Sequence, residues 1–197
     1  MHSAVYTDVI FFDVDTQNDF LLPVGALYVP GAERIIATLG RLYALARSRA
    51  IPVIATADAH TDRDLEFAAW PPHCVAGTLG QLKVAGTLLA GAAPITNIST
   101  AEIPEAQQLI VEKQSVDVFE TATIQRVLAA RPAKRYVVFG VVTEICVWNA
   151  ARGLLAAGHA VDIVTDAVAS LDPSGKGRES LDALAAMGAR FTTTVEL

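Results

Sequence analysis

Cys146 is one of only two cysteines in 197 residues. It stands where a strand-like run, "RYVVFGVV", gives way to a helix-like one, "ICVWNAARGLLAAG". A thiol at a helix start faces unpaired backbone N–H groups and the positive end of the helix dipole, which favour a thiolate. A thiolate there is a nucleophile. The N–H of Cys146 and one from the preceding turn can hold the oxyanion its attack creates. Three other strand-like runs end in ionisable groups. "VIFFDV" runs into Asp15 of "DTQNDF", "IPVIATAD" ends at Asp58 with His60 two residues on, and "QLIVEK" ends at Lys113. Asp58 and His60, on an extended segment, point to one side. A Lys beside the thiol is expected to lower its pKa, to roughly 3.5–7.5 for activated cysteines. Each residue also has a plainer use. Asp15 suits a turn cap, Lys113 a solvated strand end, and Cys146 a core position. A carboxylate, an ammonium and a thiol converging on one rim are less easily dismissed as chance than any one of them alone.

The elements that carry these groups alternate. Between the strand-like runs lie helical patterns in "AERIIATLGRLYALARSRA", "TATIQRVLAARP", the segment after Cys146, and "GKGRESLDALAAMGA". "HAVDIVTDAV" and "RFTTTV" complete about six strands. Strand then helix, repeated, predicts an α/β fold: a doubly wound, mainly parallel sheet with helices on both faces. Ligands in such sheets bind beyond the carboxyl ends of the strands, where the candidate groups fall. Residues 1–197 read as one domain, with an irregular Gly-, Pro- and Thr-rich excursion at about 58–103. An excursion of that length is more often functional than a plain connection.

Composition narrows the function. Hydrophobic residues make up 52% and charged residues 18%, with a formal net charge of −6. That acidic balance, with no basic cluster, excludes nucleic acid and anionic membrane as main partners. No apolar run reaches membrane-spanning length. The start lacks the basic flank of a signal peptide, so the expected setting is the cytoplasm, where Cys74 and Cys146 stay reduced.

"DTQNDF", the Lys after a strand, and "GVVTEICV" together resemble the isochorismatase-like cysteine hydrolases, motif by motif and in chain order over essentially the whole length. Within that superfamily, "ADAH" followed by "WPPHCVAGT" is similar to the nicotinamidases. The resemblance implies a catalytic triad of Asp15, Lys113 and Cys146, and an oxyanion hole from the N–H groups of Val142 and Cys146. It also implies a cis peptide at Val141–Val142. Asp19 is expected to support its loop by hydrogen bonds.

The resemblance further implies one divalent transition metal (zinc, iron or manganese) and no organic cofactor. Its ligands would be Asp58, His60, Glu66 and His73. Many members have His where this chain has Glu66, and a carboxylate there tilts preference towards manganese or iron. Asp62 and Asp64 are alternatives for that ligand. The two other histidines, His2 and His159, suggest no ligand. Phe20 and Trp70 fall where aromatic rings would sandwich a bound substrate ring. The implied substrate is a small amide, nicotinamide or an analogue, and the assembly a possible homo-oligomer. Two alternatives stay open: a metal-independent amidohydrolase of the same superfamily acting on a carbamoyl or ureido compound, and a catalytically silent binding protein on this fold.

Overall fold

"VIFFDV" has no polar face to offer water, so it must lie inside a sheet covered on both sides. In the computed structural model, which describes residues 7–197, it lies within β1 (Thr7–Val14), at the centre of a seven-stranded parallel sheet. His2 lies outside the described residues. The other strands are β2 (Val53–Asp58), β3 (Ala93–Ile95), β4 (Gln108–Lys113), β5 (Ala133–Val141), β6 (Ala160–Ala169) and β7 (Arg190–Thr192). Their order is β3-β4-β2-β1-β5-β6-β7, and every pair is parallel. The helices are α1 (Asn18–Leu21), α2 (Ile36–Ser48), α3 (Ala122–Ala130), α4 (Trp148–Ala156) and α5 (Lys176–Ala186). No helix among the described residues is long and apolar enough to cross a membrane.

Alternation along β1 divides the interior into two cores. Ile10, Phe12 and Val14 pack with Ile124 and Val127 of α3, Leu154 of α4 and Leu184 of α5. Phe11 faces the other way, against Leu39, Leu42 and Ala46 of α2. Each such large side chain, fully buried, contributes roughly 1.5–3 kcal/mol. Helices thus cover both faces, as the strand–helix alternation predicts.

The seventh strand is β3, inside the excursion expected to be irregular. It is a short edge strand beside β4 and contains Pro94, a residue the ladder tolerates only at an edge. The rest of the excursion folds back onto the centre of the sheet. Its Leu82 carbonyl accepts from Asn18 N–H at 2.9 Å, and Val84 N–H donates to the Thr16 carbonyl at 2.9 Å.

The order creates a switch point. From β1 the chain winds through β2, β3 and β4 on one side, then returns to the other side as β5. A crevice opens there beyond the carboxyl ends of β1 and β5. Gly140 lets the two strands close at that place. Its φ is +120° and a Cβ would lie 2.0 Å from the Val14 carbonyl oxygen, a contact no other residue could make. The next peptide bond but one, Val141–Val142, is cis.

Candidate active site

β1, β2, β4 and β5 each deliver one group to this crevice. β2 and β4 are in register, with Asp58 opposite Lys113, so their side chains share a face as neighbours. Lys113 Nζ contacts Asp58 Oδ1 and lies 2.9 Å from Asp15 Oδ2 and 3.8 Å from Cys146 Sγ. Asp15 sits just past β1 at φ +49°, a left-handed conformation that Asp tolerates better than most residues. Its side chain caps no turn: Oδ1 accepts from the Thr56 hydroxyl at 2.6 Å. Lys113 is no solvated strand end, being 1% exposed. Cys146 lies not at the first turn of α4 but in a π-helical turn, Thr143–Val147, that precedes it. There the Val142 carbonyl accepts from both Ile145 and Val147 N–H at 3.0 Å.

A second cluster adjoins the first through Asp58. The segment after β2 stays extended, and His60 N–H donates to the Cys74 carbonyl at 3.1 Å while Ala76 N–H returns to His60 at 2.9 Å. This pairing sets "WPPHC" beside "ADAH". One ligand atom each from Asp58, His60 and His73 lies within 4.8 Å of the others. Asp58 Oδ2 is 3.9 Å from His60 Nε2 and 3.8 Å from His73 Nε2; Glu66 Oε1 is 3.9 and 3.8 Å from the same atoms. Two bonds of about 2.1 Å at a tetrahedral angle span roughly 3.4 Å. A small inward shift of each donor would therefore close the set around one ion. Between the remaining candidates for the fourth ligand the geometry is clear. Asp64 Oδ2 is 3.2 Å from His60 Nδ1, on the far side of that ring, and Asp62 is exposed. His73 Nδ1 is 2.8 Å from the Pro71 carbonyl, which can only accept, so Nδ1 carries the proton and Nε2 presents a lone pair. The Nε2 of His60 is buried with no hydrogen-bond partner among the described residues, as expected of a ligand atom.

The electrostatics differ from expectation at the thiol. Burial pushes Cys146 up, Lys113 pulls it down, and Asp15 and Asp58 push it up again; the result lies well above the ordinary thiol range. Lys113 therefore does not produce a resting thiolate, because burial opposes it and two carboxylates share its charge. Burial would lower Lys113, but Asp15 and Asp58 outweigh it and hold the ammonium well above its usual range. Asp15 is raised by burial, against the pull of Lys113 and with the help of Asp58. Burial also raises Asp58, yet Lys113 and the two histidines prevail and keep it ionised. In the second cluster, burial and Asp58 raise Glu66. His60 is raised too, because its carboxylate neighbours outweigh burial. Both groups are pushed towards holding a proton, the signature of a site deficient in positive charge, and a cation would supply it.

Cys146, Val142, Asp58, Glu66 and His73 border a pocket with about 330 Å³ not filled by protein, counting its mouth. Its other walls are largely apolar and include Phe20, Trp70, Val29 and Ile145. Asp15, Lys113 and His60 lie beneath its surface, at 0%, 1% and 0% exposure. Phe20 is also a core residue, and its ring packs 5.3 Å from His73. His159 is remote from this, packed edge-to-face against Tyr136 at 4.9 Å. Asp19 accepts from Ala26 N–H at 2.9 Å and Cys74 N–H at 2.7 Å, as a loop support would.

Several residues here escape sequence reasoning. Gln17 clamps Asp58 through its backbone, accepting its N–H at 2.7 Å and donating to its carbonyl at 2.8 Å. Phe67 packs against both imidazoles, at 5.1 and 5.7 Å. Glu144, two residues before Cys146, accepts from Leu171 and Asp172 N–H at 3.0 and 2.8 Å and so anchors the pocket wall that follows β6. Gln17 and Glu144 lie inside the quoted motifs, which was the only available signal.

The fold has counterparts among solved structures. The pyrazinamidase of Pyrococcus horikoshii in complex with zinc is 26% identical, covering 94% of this chain and 99% of its own, with a TM-score of 0.78. The N-carbamoylsarcosine amidase from Thermoplasma acidophilum is 22% identical, covering 97% and 99%, with a TM-score of 0.77. PnC1 from L. infantum, in complex with nicotinate, is 23% identical, covering 98% of each chain, with a TM-score of 0.76. The last two likenesses speak to the fold. No curated protein matches the chain in sequence. The isochorismatase domain model matches residues 9–196, from β1 to the final turn, so the chain belongs to the isochorismatase-domain family, whose members are hydrolases and include amidases.

Proposed function

We propose that this protein is a nicotinamidase, converting nicotinamide and water to nicotinate and ammonia through a Cys146 thioester. The observation that carries the reading is a shared residue. Asp58 touches Lys113 with one oxygen and faces the Asp–His–Glu–His cluster with the other, so nucleophile and candidate metal site open on one small pocket. A divalent transition metal held by Asp58, His60, Glu66 and His73 would, when bound, supply a Lewis-acidic grip on a pyridine nitrogen. The donor set admits zinc, iron or manganese.

The chain's own residues carry the chemistry. Asp15 Oδ2 takes the thiol proton as the sulfur attacks the carboxamide carbon, and the C=O electron pair moves to oxygen. The N–H groups of Val142 and Cys146 hold that oxyanion. Lys113, fixed as an ammonium, offsets the negative charge of thiolate and carboxylate in turn. Asp15 returns its proton to the departing nitrogen as the C–N bond breaks and ammonia leaves. Asp15 then accepts a proton from water, which attacks the thioester; as the C–S bond breaks, Asp15 returns that proton to the sulfur, restoring the thiol, and the pyridine carboxylic acid leaves and ionises to nicotinate. Phe20 and Trp70 flank the ring. A thiol with a raised pKa suits this sequence, because its proton moves with the attack and the resting nucleophile stays protected. The nicotinate formed is material for pyridine nucleotide biosynthesis.

The test is ammonia release from nicotinamide by the metal-loaded protein, with Cys146→Ala as control. Turnover abolished by the substitution and by chelation is expected. Hydrolysis of N-carbamoyl compounds that survives chelation would replace this reading with the metal-independent one. Absence of any amide turnover, with Cys146 alkylating at an ordinary thiol rate, would leave a silent binding protein.

A further inference from the structure

Thr56 lies in the middle of the site's supporting strand and belongs to no motif. Its hydroxyl makes two contacts to the same residue. It donates to Asp15 Oδ1 at 2.6 Å and accepts the Asp15 backbone N–H at 3.2 Å. A hydroxyl has one proton and two lone pairs, so its proton is committed to Oδ1. The carboxylate is thereby held at its tip and its backbone at once. The other oxygen, Oδ2, is 2.9 Å from Lys113 Nζ, buried, and without an aligned hydrogen bond. It is the oxygen left for proton exchange with the thiol.

Thr56 is itself held. As a β-branched residue it is stiff at χ1. Its carbonyl accepts from Lys83 Nζ at 3.1 Å. Lys83 comes from the excursion and is buried against Asp13 Oδ2 at 3.2 Å. Asp13 also receives the Thr16 hydroxyl at 3.0 Å and the Tyr43 hydroxyl. None of these groups reaches the pocket, yet together they fix the strand that fixes Asp15.

We infer that Thr56 is a positioning residue of the reaction: its hydroxyl selects Asp15 Oδ2 as the oxygen that exchanges the proton of Cys146. The inference rests on the Asp15–Cys146 chemistry proposed above.

Thr56→Val keeps the shape and deletes the hydroxyl; Thr56→Ser keeps the hydroxyl and loosens its rotamer. With metal-loaded protein and nicotinamide, the Val variant is expected to lose about 100-fold in kcat with KM changed less than about two-fold, the size a small misplacement of a reacting group produces. The Ser variant should stay within about ten-fold of the parent on the same scale. An activity-independent readout accompanies this. Alkylation of Cys146 by iodoacetamide, followed by peptide mass spectrometry with fully buried Cys74 as internal reference, should slow about ten-fold in Thr56→Val and recover in Thr56→Ser. Thr56→Ala is read the same way should the Val variant not fold. A Val variant with parental kcat and alkylation overturns the inference, as does a loss confined to KM. So does a Ser variant that falls as far as Val, which would show that shape and not the hydroxyl matters. Failure of the nicotinamide reading shows separately, as a parent that releases no ammonia, while the alkylation series still decides the role of Thr56.

Discussion

Lys113→Met keeps an unbranched side chain of similar length and removes one charge. The ammonium is buried between Asp15 at 2.9 Å and Asp58, both themselves buried. In the metal-free protein two carboxylates share one cation, and there the variant leaves them with none. Stranding buried charge in this way costs about 3–5 kcal/mol. A chain of this size loses about 2–4 °C per kcal/mol, so Tm should fall by roughly 6–20 °C. Proton uptake relieves part of that cost. Burial and Asp58 already push the Asp15 carboxyl up, and Lys113 is what opposes them, so Asp15 is the group that protonates. A protonated Asp15 cannot accept the thiol proton. Turnover is then lost twice over, through the missing base and the missing cation, by about 10³-fold or more. The decisive partner is Lys113→Met/Asp15→Asn, which removes one of the stranded carboxylates without changing its shape. It should regain at least about half of the lost stability by removing an uncompensated charge, while turnover stays at background. Thermal melts at neutral pH and an ammonia-coupled assay read both quantities. A single variant melting within about 2 °C of the parent, less than 1 kcal/mol at this size, would refute the reasoning. So would a double variant less stable than the single one.

Three further outcomes follow from the same geometry. Burial raises Asp15 above 3.8 in the folded protein, with Lys113 opposing; the ionised form is the base, so kcat/KM should rise with pH through a midpoint above that value. The stability this group contributes is full below its unfolded pKa and is lost as pH climbs through the raised folded one. Asp15→Asn should therefore gain on the parent in Tm across that window, and a flat difference would contradict the assignment. Glu66→Gln should weaken metal retention about ten-fold or more, read by elemental analysis after dialysis, while Cys146 alkylation is unchanged; full retention would remove Glu66 from the ligand set. Gly140→Ala places a Cβ 2.0 Å from the Val14 carbonyl at φ +120° and should destabilise by at least about 2 kcal/mol, seen as a lowered Tm or insoluble protein.

The fold was legible where burial is two-sided. β1, β2, β4 and β5 each carry a short continuous apolar stretch (VIFF, VIA, LIV and YVVFGV) because both of their faces are covered there, and such stretches announce themselves. β3 did not, because an edge strand of three residues with one neighbour needs no long apolar run, and Pro94 argues against a strand until the edge is known. The site was legible for a related reason. A parallel sheet presents all its strand ends at one rim, so Asp15, Asp58, Lys113 and Cys146 could be gathered from position alone.

What stayed hidden is whatever depends on distance across the sheet. Asp58 belongs to both clusters only because β2 and β4 are in register, Asp58 beside Lys113, and nothing local to either motif encodes that register. The sign of the thiol's shift follows first from its burial, and the register adds to it. A lysine near a cysteine predicts a depressed pKa, but this ammonium is already shared by two buried carboxylates. Counting the cation without burial and without its partners gives the wrong direction. Thr56 and Lys83 are hidden more deeply, since a threonine in a strand and a lysine in a loop are ordinary residues until their hydroxyl and ammonium are found turned inward. The proposed reacting groups of this site can thus be read along the chain, whereas the groups that set their protonation are read only across it. Substitutions at Lys113, Asp58 and Thr56 should for that reason change pH dependence and thiol reactivity together, while substitutions at Phe20 or Trp70, on the pocket wall, should change substrate choice and leave the reactivity of Cys146 as it was.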